Sequence, residues 1–326
     1  MAPLSSSPPL IPPYSGEEPR PLWSVMIPVY NCSQFIPSTL ESVLKQGLPE
    51  KEMQIEVIDD ASTDADVQAL VAQYGQGRVK YYRQPQNGGS LRNFETCINR
   101  SKGRLVHLLH GDDKVREGYY QAIARLFEQY PEAGAAFSRF CYIRENGEFM
   151  YNLPLVEKEA GLLQDWLLRI GERQQIQYAA ITVRREVYEK LGGFYGPSYG
   201  EDWEMWVRIA KHYPVAYTPE VLAEYRKHQN SISGQKFTSG QNLRDLALVM
   251  ELIQQHLPPD QREKILRKSK EFYAGYGAKV ANQLWHRFRN KQIVSAQVKE
   301  ALNLSKSPRV LWKVAKLYIK VILNKA

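Results

Sequence analysis

From Leu22 to Tyr130 short apolar runs alternate with helical periods, and that alternation leaves few folds open to the chain. Trp23-Ser-Val-Met-Ile-Pro28 reads as a strand, followed by a helix from near Ser33 with Ile36, Leu40, Val43 and Leu44 on one face. Ile55-Glu-Val-Ile58, Val79–Arg83 and Arg104-Leu-Val-His-Leu-Leu109 are further strands, separated by helices over Asp64–Tyr74 and Ser90–Ser101. A helix over Tyr119–Tyr130 closes the series. Repeated strand–helix–strand units build a parallel sheet, and such sheets bind ligands at the carboxyl ends of their strands. Pro28-Val-Tyr-Asn31, Asp59-Asp60 and Asp112-Asp113 fall at such ends, which sets polar side chains around one expected crevice.

The second half is less regular. Ala135–Ile143 and Glu148–Tyr151 flank Glu145-Asn-Gly147, a hairpin signal. Gln177–Val183 reads as a strand, and Val215–Thr218 with Leu222–Arg226 as a last pair, so the sheet should end mixed. From Ser239 the pattern is helical to the end. Met1 to Pro21 holds seven prolines and four serines with almost no apolar period, the composition of a disordered tail. The expected organisation is a tail over 1–21, an α/β domain over 22–234 and a helical region over 235–326.

Composition narrows the setting. Hydrophobic residues make up 43% of the chain, enough for a substantial core. Cys32, Cys97 and Cys141 fit neither a metal spacing nor a disulfide framework, which points to a reducing compartment. No apolar run approaches the ~18 residues of a membrane span, and the start lacks a basic-then-apolar signal. A cytoplasmic protein is expected. Of the net charge of +8, residues 235–326 carry +12 and the rest −4, so the basic character faces an anionic surface from the C-terminal third. A nucleic acid is not the expected partner, because neither a helix-turn-helix nor an aromatic-basic sheet motif is present.

Several segments carry chemistry, each with two readings. Adjacent carboxylates at a strand end repel and hold best around a cation, commonly Mg²⁺ or Mn²⁺ bridging phosphate oxygens. Asp112-Asp113 fits that description and also fits a loop capping the next helix. In Asp59-Asp60-Ala-Ser-Thr-Asp64, Ser62 or Thr63 caps a helix, or a carboxylate accepts from a base N–H or ribose hydroxyl. Gln86-Asn-Gly-Gly-Ser-Leu-Arg92 sets a glycine turn before a helix, where backbone N–H groups and Arg92 meet phosphate, without a P-loop lysine. Gly200-Glu-Asp-Trp-Glu-Met-Trp206 opens a helix whose acidic first turn suits the dipole, or supplies a base beside an aromatic platform. His228, after Tyr225-Arg-Lys, completes a metal site or is a polar surface residue.

In their order along the chain these segments resemble family 2 glycosyltransferases. The resemblance runs through Ser24–Asn31, Val57–Asp64, the Asn-x-Gly at 87–89, Leu109-His-Gly-Asp-Asp113, Leu191-Gly-Gly-Phe194, Glu201-Asp-Trp203 and Tyr225–Ser233, roughly residues 22–234. It implies the GT-A nucleotide-diphospho-sugar transferase fold, a Rossmann-like mixed sheet flanked by helices, here with a helical C-terminal extension. It also implies inversion at the anomeric centre and a nucleoside-diphosphate sugar donor, UDP-linked by preference. On the matching positions, Pro28, Tyr30, Asn31 and Asp60 would hold the nucleotide, Arg92 the base or diphosphate, and Asp112 and Asp113 the metal and diphosphate. Asp202 matches the general base, Glu201 and Trp203 the acceptor side, and His228 a metal or diphosphate position. One departure is His110, where many members carry an aspartate.

Outside that pattern, Ser307-Pro308 starts a helix with Arg309, Lys313, Lys316 and Lys320 on one face. Val310, Leu311, Val314, Leu317, Tyr318, Val321 and Ile322 fill the other. Such a helix suits an anionic bilayer interface, or docks on the protein's own core. The expected activity is transfer of a sugar to a saccharide or lipid-linked acceptor at the inner face of a membrane, in cell-envelope or extracellular polysaccharide synthesis. The alternatives are a catalytically silent nucleotide-sugar-binding module and a basic nucleic-acid-binding protein.

Overall fold

The computed structural model describes residues 7–228 and 231–324. The chain divides into two compact units, one of Met1–Trp166, Ile176–Tyr195 and His212–Lys227, the other of Leu167–Gln175, Gly196–Lys211 and His228–Ala326. The second unit thus takes two segments, Leu167–Gln175 and Gly196–Lys211, from inside the expected α/β stretch of 22–234.

The first unit is built on a sheet that is ten-stranded among the described residues. Its parallel half has the order β3 (Lys80–Arg83), β2 (Met53–Asp59), β1 (Trp23–Val29), β4 (Leu105–Leu108). Helices α1 (Ile36–Leu44), α2 (Val67–Tyr74) and α3 (Ser90–Arg100) make the crossovers. All seven residues of β1 are buried, as a strand covered on both faces requires. Pro28 is tolerated there because β1 pairs with β4 only as far as Met26, so the missing N–H costs no ladder bond. Val25, Ile27, Val57, Ile36, Leu40 and Ile123 share one core.

Beyond β4 the sheet turns mixed through β9 (Ile181–Arg184), β6 (Ala135–Ile143), β10 (Val215–Arg226) and β5 (Lys114–Val115). β7 (Phe149–Asn152) closes the expected hairpin on β6, and β8 (Gly161–Leu162) pairs with β10. Between them lie α4 (Tyr119–Gln129) and α6 (Arg185–Leu191), while α5 (Trp166–Glu172) falls, but for Trp166, in the second unit. Two expectations change. The last strand pair is one strand, β10, whose register against β6 shifts between Thr218 and Ala223, around Pro219, which has no N–H to give. Gln177–Val183 opens as a 3₁₀ turn at Tyr178–Ala180 and becomes a strand only at Ile181.

The disordered tail is also corrected. Residues 1–6 lie outside the described residues, but residues 7–21 form an ordered strap without regular secondary structure. Ile11 is 3% exposed, the Gly193 N–H donates to the Pro9 carbonyl and the Arg185 guanidinium to that of Pro12. Arg20 donates to the carbonyls of Lys102 and Gly103 at 2.9 Å each. One buried isoleucine and borrowed backbone partners are signals that periodicity cannot carry.

The second unit contains α7 (Glu201–His212), α8 (Ile232–Phe237), α9 (Gln241–Leu252), α10 (Arg262–Phe288), α11 (Lys291–Leu304) and α12 (Pro308–Ile322). Ala274, Ala278, Ala281 and Trp285 of α10 pack with Val294 and Val298 of α11 and with Val310, Val314, Leu317 and Val321 of α12. Much of the apolar face expected to meet a membrane is thus docked on the protein itself. Among the described residues no helix is long and apolar enough to cross a membrane.

Candidate active site

At the carboxyl ends of β1 and β2, two loops are pinned to each other. Asn31 takes a left-handed φ of 47°, donates its N–H to Ser62 Oγ at 3.0 Å and accepts from the Thr63 N–H at 2.8 Å. The Ser33 N–H donates to Asp64 at 2.9 Å. Ser62 and Thr63 are therefore not the cap of α2; Asp66 is, accepting from the Ala69 N–H at 3.0 Å. Asp59 accepts from the Ser62 N–H at 2.9 Å, from the Tyr81 hydroxyl at 2.8 Å and from Arg83 at 2.5 Å.

Asp60 is 1% exposed and accepts the Gly88 and Gly89 N–H groups at 2.8 and 2.9 Å, one on each oxygen. Those are the donors that the glycine turn was expected to turn toward phosphate. Burial raises the Asp60 pKa, and the two N–H groups oppose it. A carboxylate oxygen has two lone pairs, so each keeps one acceptor position beyond these bonds. Tyr30 is 50% exposed at the mouth of these loops, whereas Pro28 is buried. Arg92 is exposed and paired with Glu95 at 3.0 Å.

At the end of β4, His110-Gly-Asp-Asp113 is a turn closed by the Asp113 N–H on the His110 carbonyl at 3.0 Å. Gly111 lies so close to β1 that a Cβ there would stand 2.7 Å from Val29. Asp113 is 1% exposed; its Oδ1 accepts from the Arg226 N–H at 2.8 Å, and its Oδ2 has no partner. Burial and the neighbouring Asp112 charge push its pKa well up. His110 forms a triangle with the rings of Phe94 and Tyr178, with centroids at 5.1 and 4.4 Å from its own, and its Nε2 also lacks a partner. Burial lowers its pKa, so the imidazole is neutral and able to ligate.

One donor atom from each of His110, Asp112 and Asp113 lies within 4.8 Å of the others. A divalent cation fits: it satisfies the orphaned carboxylate oxygen, compensates two adjacent acids and takes the free imidazole nitrogen. One nitrogen and two carboxylates suit Mn²⁺ at least as well as Mg²⁺. The histidine of this set is His110; His228, expected at a metal or diphosphate position, is not one of the three grouped residues. Arg226 went unnoticed in the sequence, although it fixes the turn: its guanidinium donates to the carbonyls of Asp112 and Glu145 at 2.8 Å each. Nothing in the string Tyr225-Arg-Lys-His distinguishes it from a surface arginine.

In the second unit α7 carries Asp202. Its Oδ1 accepts from the Trp203 N–H at 2.7 Å and its Oδ2 from the Gln174 side-chain amide. Burial raises its pKa to about 6, against those hydrogen bonds. Trp203 does not offer a platform to an acceptor. It is wholly buried, donates from Nε1 to the Ile170 carbonyl and packs on Tyr273. Glu201 is 6% exposed, and Glu204 is paired with Arg208 and His256. The exposed aromatic of this region is Phe272, with Arg173 over its ring, and neither lies in a motif that the sequence singles out.

A sheet that is parallel through β3–β2–β1–β4 and mixed beyond, with carboxylates gathered at its strand ends, is the GT-A fold of glycosyltransferases. The chain belongs to glycosyl transferase family 2, whose sequence profile matches residues 24–192. It is 29% identical over 234 residues to the putative teichuronic acid biosynthesis glycosyltransferase TuaG of Bacillus subtilis, covering 67% of this chain and 84% of that one. Among solved structures, S. aureus TarS 1-349 in complex with UDP-GlcNAc matches with a TM-score of 0.64 at 16% identity, over 93% of this chain and 92% of that one. The mannosyltransferase PcManGT of Pyrobaculum calidifontis, in complex with GDP-Man and Mn²⁺, matches with a TM-score of 0.58 at 18% identity, over 99% and 91%.

Proposed function

We propose that the enzyme moves a sugar from a UDP-sugar to a hydroxyl of a cell-envelope saccharide or lipid-linked saccharide, with inversion, on the cytoplasmic side. The observation that carries the reading is the orphaned Asp113 oxygen beside His110 and Asp112, a donor set that suits a divalent cation. Support for the donor and acceptor class comes from TarS, solved with UDP-GlcNAc, and from TuaG, named for teichuronic acid synthesis.

In this reading Tyr30, Asn31 and Asp60 hold the nucleoside, and Arg92 leaves Glu95 for the diphosphate. His110, Asp112 and Asp113 hold Mn²⁺ or Mg²⁺. Bound there, the cation supplies positive charge against the departing diphosphate. The acceptor oxygen attacks the anomeric carbon as the bond to the diphosphate breaks, and its proton passes to Asp202. A carboxylate with a pKa of about 6 is ionised at neutral pH and still basic enough to accept it. A single displacement inverts the anomeric centre.

The test is a panel of UDP- and GDP-linked sugars with Mn²⁺ and envelope-type acceptors, reading nucleoside diphosphate release and product configuration by NMR. Turnover with one UDP-sugar and an inverted product is expected. Retention of configuration, or turnover unaffected by chelation of the metal, sinks the mechanism.

A further inference from the structure

The C-terminal helix α12 carries three strips around its circumference. At 100° per residue, Val310, Val314, Leu317 and Val321 fall within an arc of about 60°, and these four are the residues packed on α10 and α11. Trp312, Ala315, Ile319 and Ile322 form a second apolar strip, centred about 150° from the docked one. It points away from the unit's core: Trp312 is 61% exposed, Ile319 55% and Ile322 78%, with Leu311 and Leu323 at its margins. Of the fifteen exposed large hydrophobic residues described in the chain, five lie on this helix and its end. Scattered apolar residues on a surface need no explanation, but a continuous ridge does.

Between the two apolar strips lie Arg309, Lys313, Lys316 and Lys320, within an arc of about 60°. From Leu304 to Ala326 the chain has six basic residues and no acidic one. Elsewhere in the same unit several cations are matched: Lys236 with Asp245, Arg244 with Glu300, Lys268 with Glu172, Lys270 with Glu251. Among the described residues the four cations of α12 have no carboxylate. Lys320 reaches the Asn282 amide oxygen at 3.2 Å, and Lys316 rests over the Trp312 ring at 4.7 Å.

We infer that this ridge is a docking surface for an anionic lipid bilayer, with α12 lying in the plane of the headgroups. The aliphatic side chains enter the acyl boundary, the Trp312 indole sits at the interface, and the adjoining cations meet lipid phosphates. A second copy of the chain fits less well, because a self-complementary contact brings two like-charged strips together. A nucleic acid would use the cations but leave Ile319 and Ile322 in water. The inference stands apart from the sugar chemistry, since none of these residues belongs to the candidate active site. The ridge is not the apolar face that hydropathy alone selects; most of that face is spent on docking.

The experiment uses the full chain with vesicles of phosphatidylcholine alone or mixed with phosphatidylglycerol, read by co-sedimentation. Binding to the mixed vesicles and not to phosphatidylcholine alone is expected. Removing Trp312, Ile319 and Ile322 together (W312S/I319S/I322S) should weaken that binding at least tenfold, with an unchanged melting curve because all three are exposed. Lys313→Gln and Lys316→Gln should each weaken it about fivefold, an effect that added salt reproduces in the parent chain. Equal vesicle binding by the triple variant overturns the proposal. So does a triple variant whose only change is a smaller oligomer by analytical ultracentrifugation, which would assign the ridge to contacts between copies.

Discussion

Two aspartate pairs stand at strand ends of one sheet and meet opposite surroundings. At the end of β2, the carboxylates of Asp59 and Asp60 are met by the Ser62, Gly88 and Gly89 N–H groups, the Tyr81 hydroxyl and the Arg83 guanidinium. At the end of β4, Asp113 receives one N–H and keeps its other oxygen bare, beside an imidazole nitrogen that is also bare. Both pairs are buried at their inner member. The difference lies in what the neighbouring loops bring: fixed donors make a carboxylate part of the frame, and a missing donor makes it a place for a cation.

The largest effect that can break this contrast is expected at Asp113. Asp113→Asn keeps the acceptor for the Arg226 N–H but removes the negative oxygen. Calorimetric titration with Mn²⁺ should show affinity reduced by more than tenfold, and turnover should fall about 10²–10³-fold. The melting temperature without metal should not drop, because the bare oxygen stabilises nothing there. Wild-type Mn²⁺ affinity in this variant would make the two pairs equivalent and the contrast empty.

Asp60→Asn should do the reverse. An amide nitrogen turned toward Gly88 or Gly89 leaves a donor unmet, at a cost of about 1–3 kcal/mol in chemical unfolding. Mn²⁺ affinity in the absence of nucleotide should stay near the parent value. If the metal is lost while stability is kept, Asp60 belongs to the cation site and not to the frame.

Asp202 is an intermediate case, with one hydrogen bond on each oxygen and a pKa raised to about 6 by burial. As a base it works when deprotonated, so kcat/KM should rise with pH through about 6 and level off above it. Gln174→Leu removes an N–H that favours the charged form, which moves this limb to higher pH. The expected loss is a few-fold in mildly acid solution and fades in alkaline solution, as pH–rate profiles can show. A limb that stays in place would mean that the amide only packs.

The sequence carried the sheet far better than the contacts within it. Strand ends are legible because apolar runs stop where polar residues begin, and β1, β2 and β4 end within a residue or so of where the pattern breaks. β10 was read as two strands because Pro219 interrupts the pattern, although a bulge carries one strand past it. Partner choice is tertiary and left no local mark: Asp59-Asp60 and Asp112-Asp113 look alike as strings, and Arg226 looks like any strand-end arginine. Trp203 misled because an aromatic beside an acid suggests a platform, whereas helical phase turns the ring into the core. On α12 both strips are apolar, so hydropathy cannot say which one docks.

The strap of residues 7–21 has a consequence for folding entropy. Pro8, Pro9, Pro12 and Pro13 arrive with φ already set, so the unfolded chain has fewer conformations to surrender there than an ordinary segment of that length. Pro8 and Pro9 seat against Gly192, held at a φ of 80°, where a Cβ would come within 2.8 Å of them. A segment with so few contacts could not hold a flexible sequence in place. The composition that resembles disorder is what lets one buried isoleucine and a few borrowed hydrogen bonds keep it ordered.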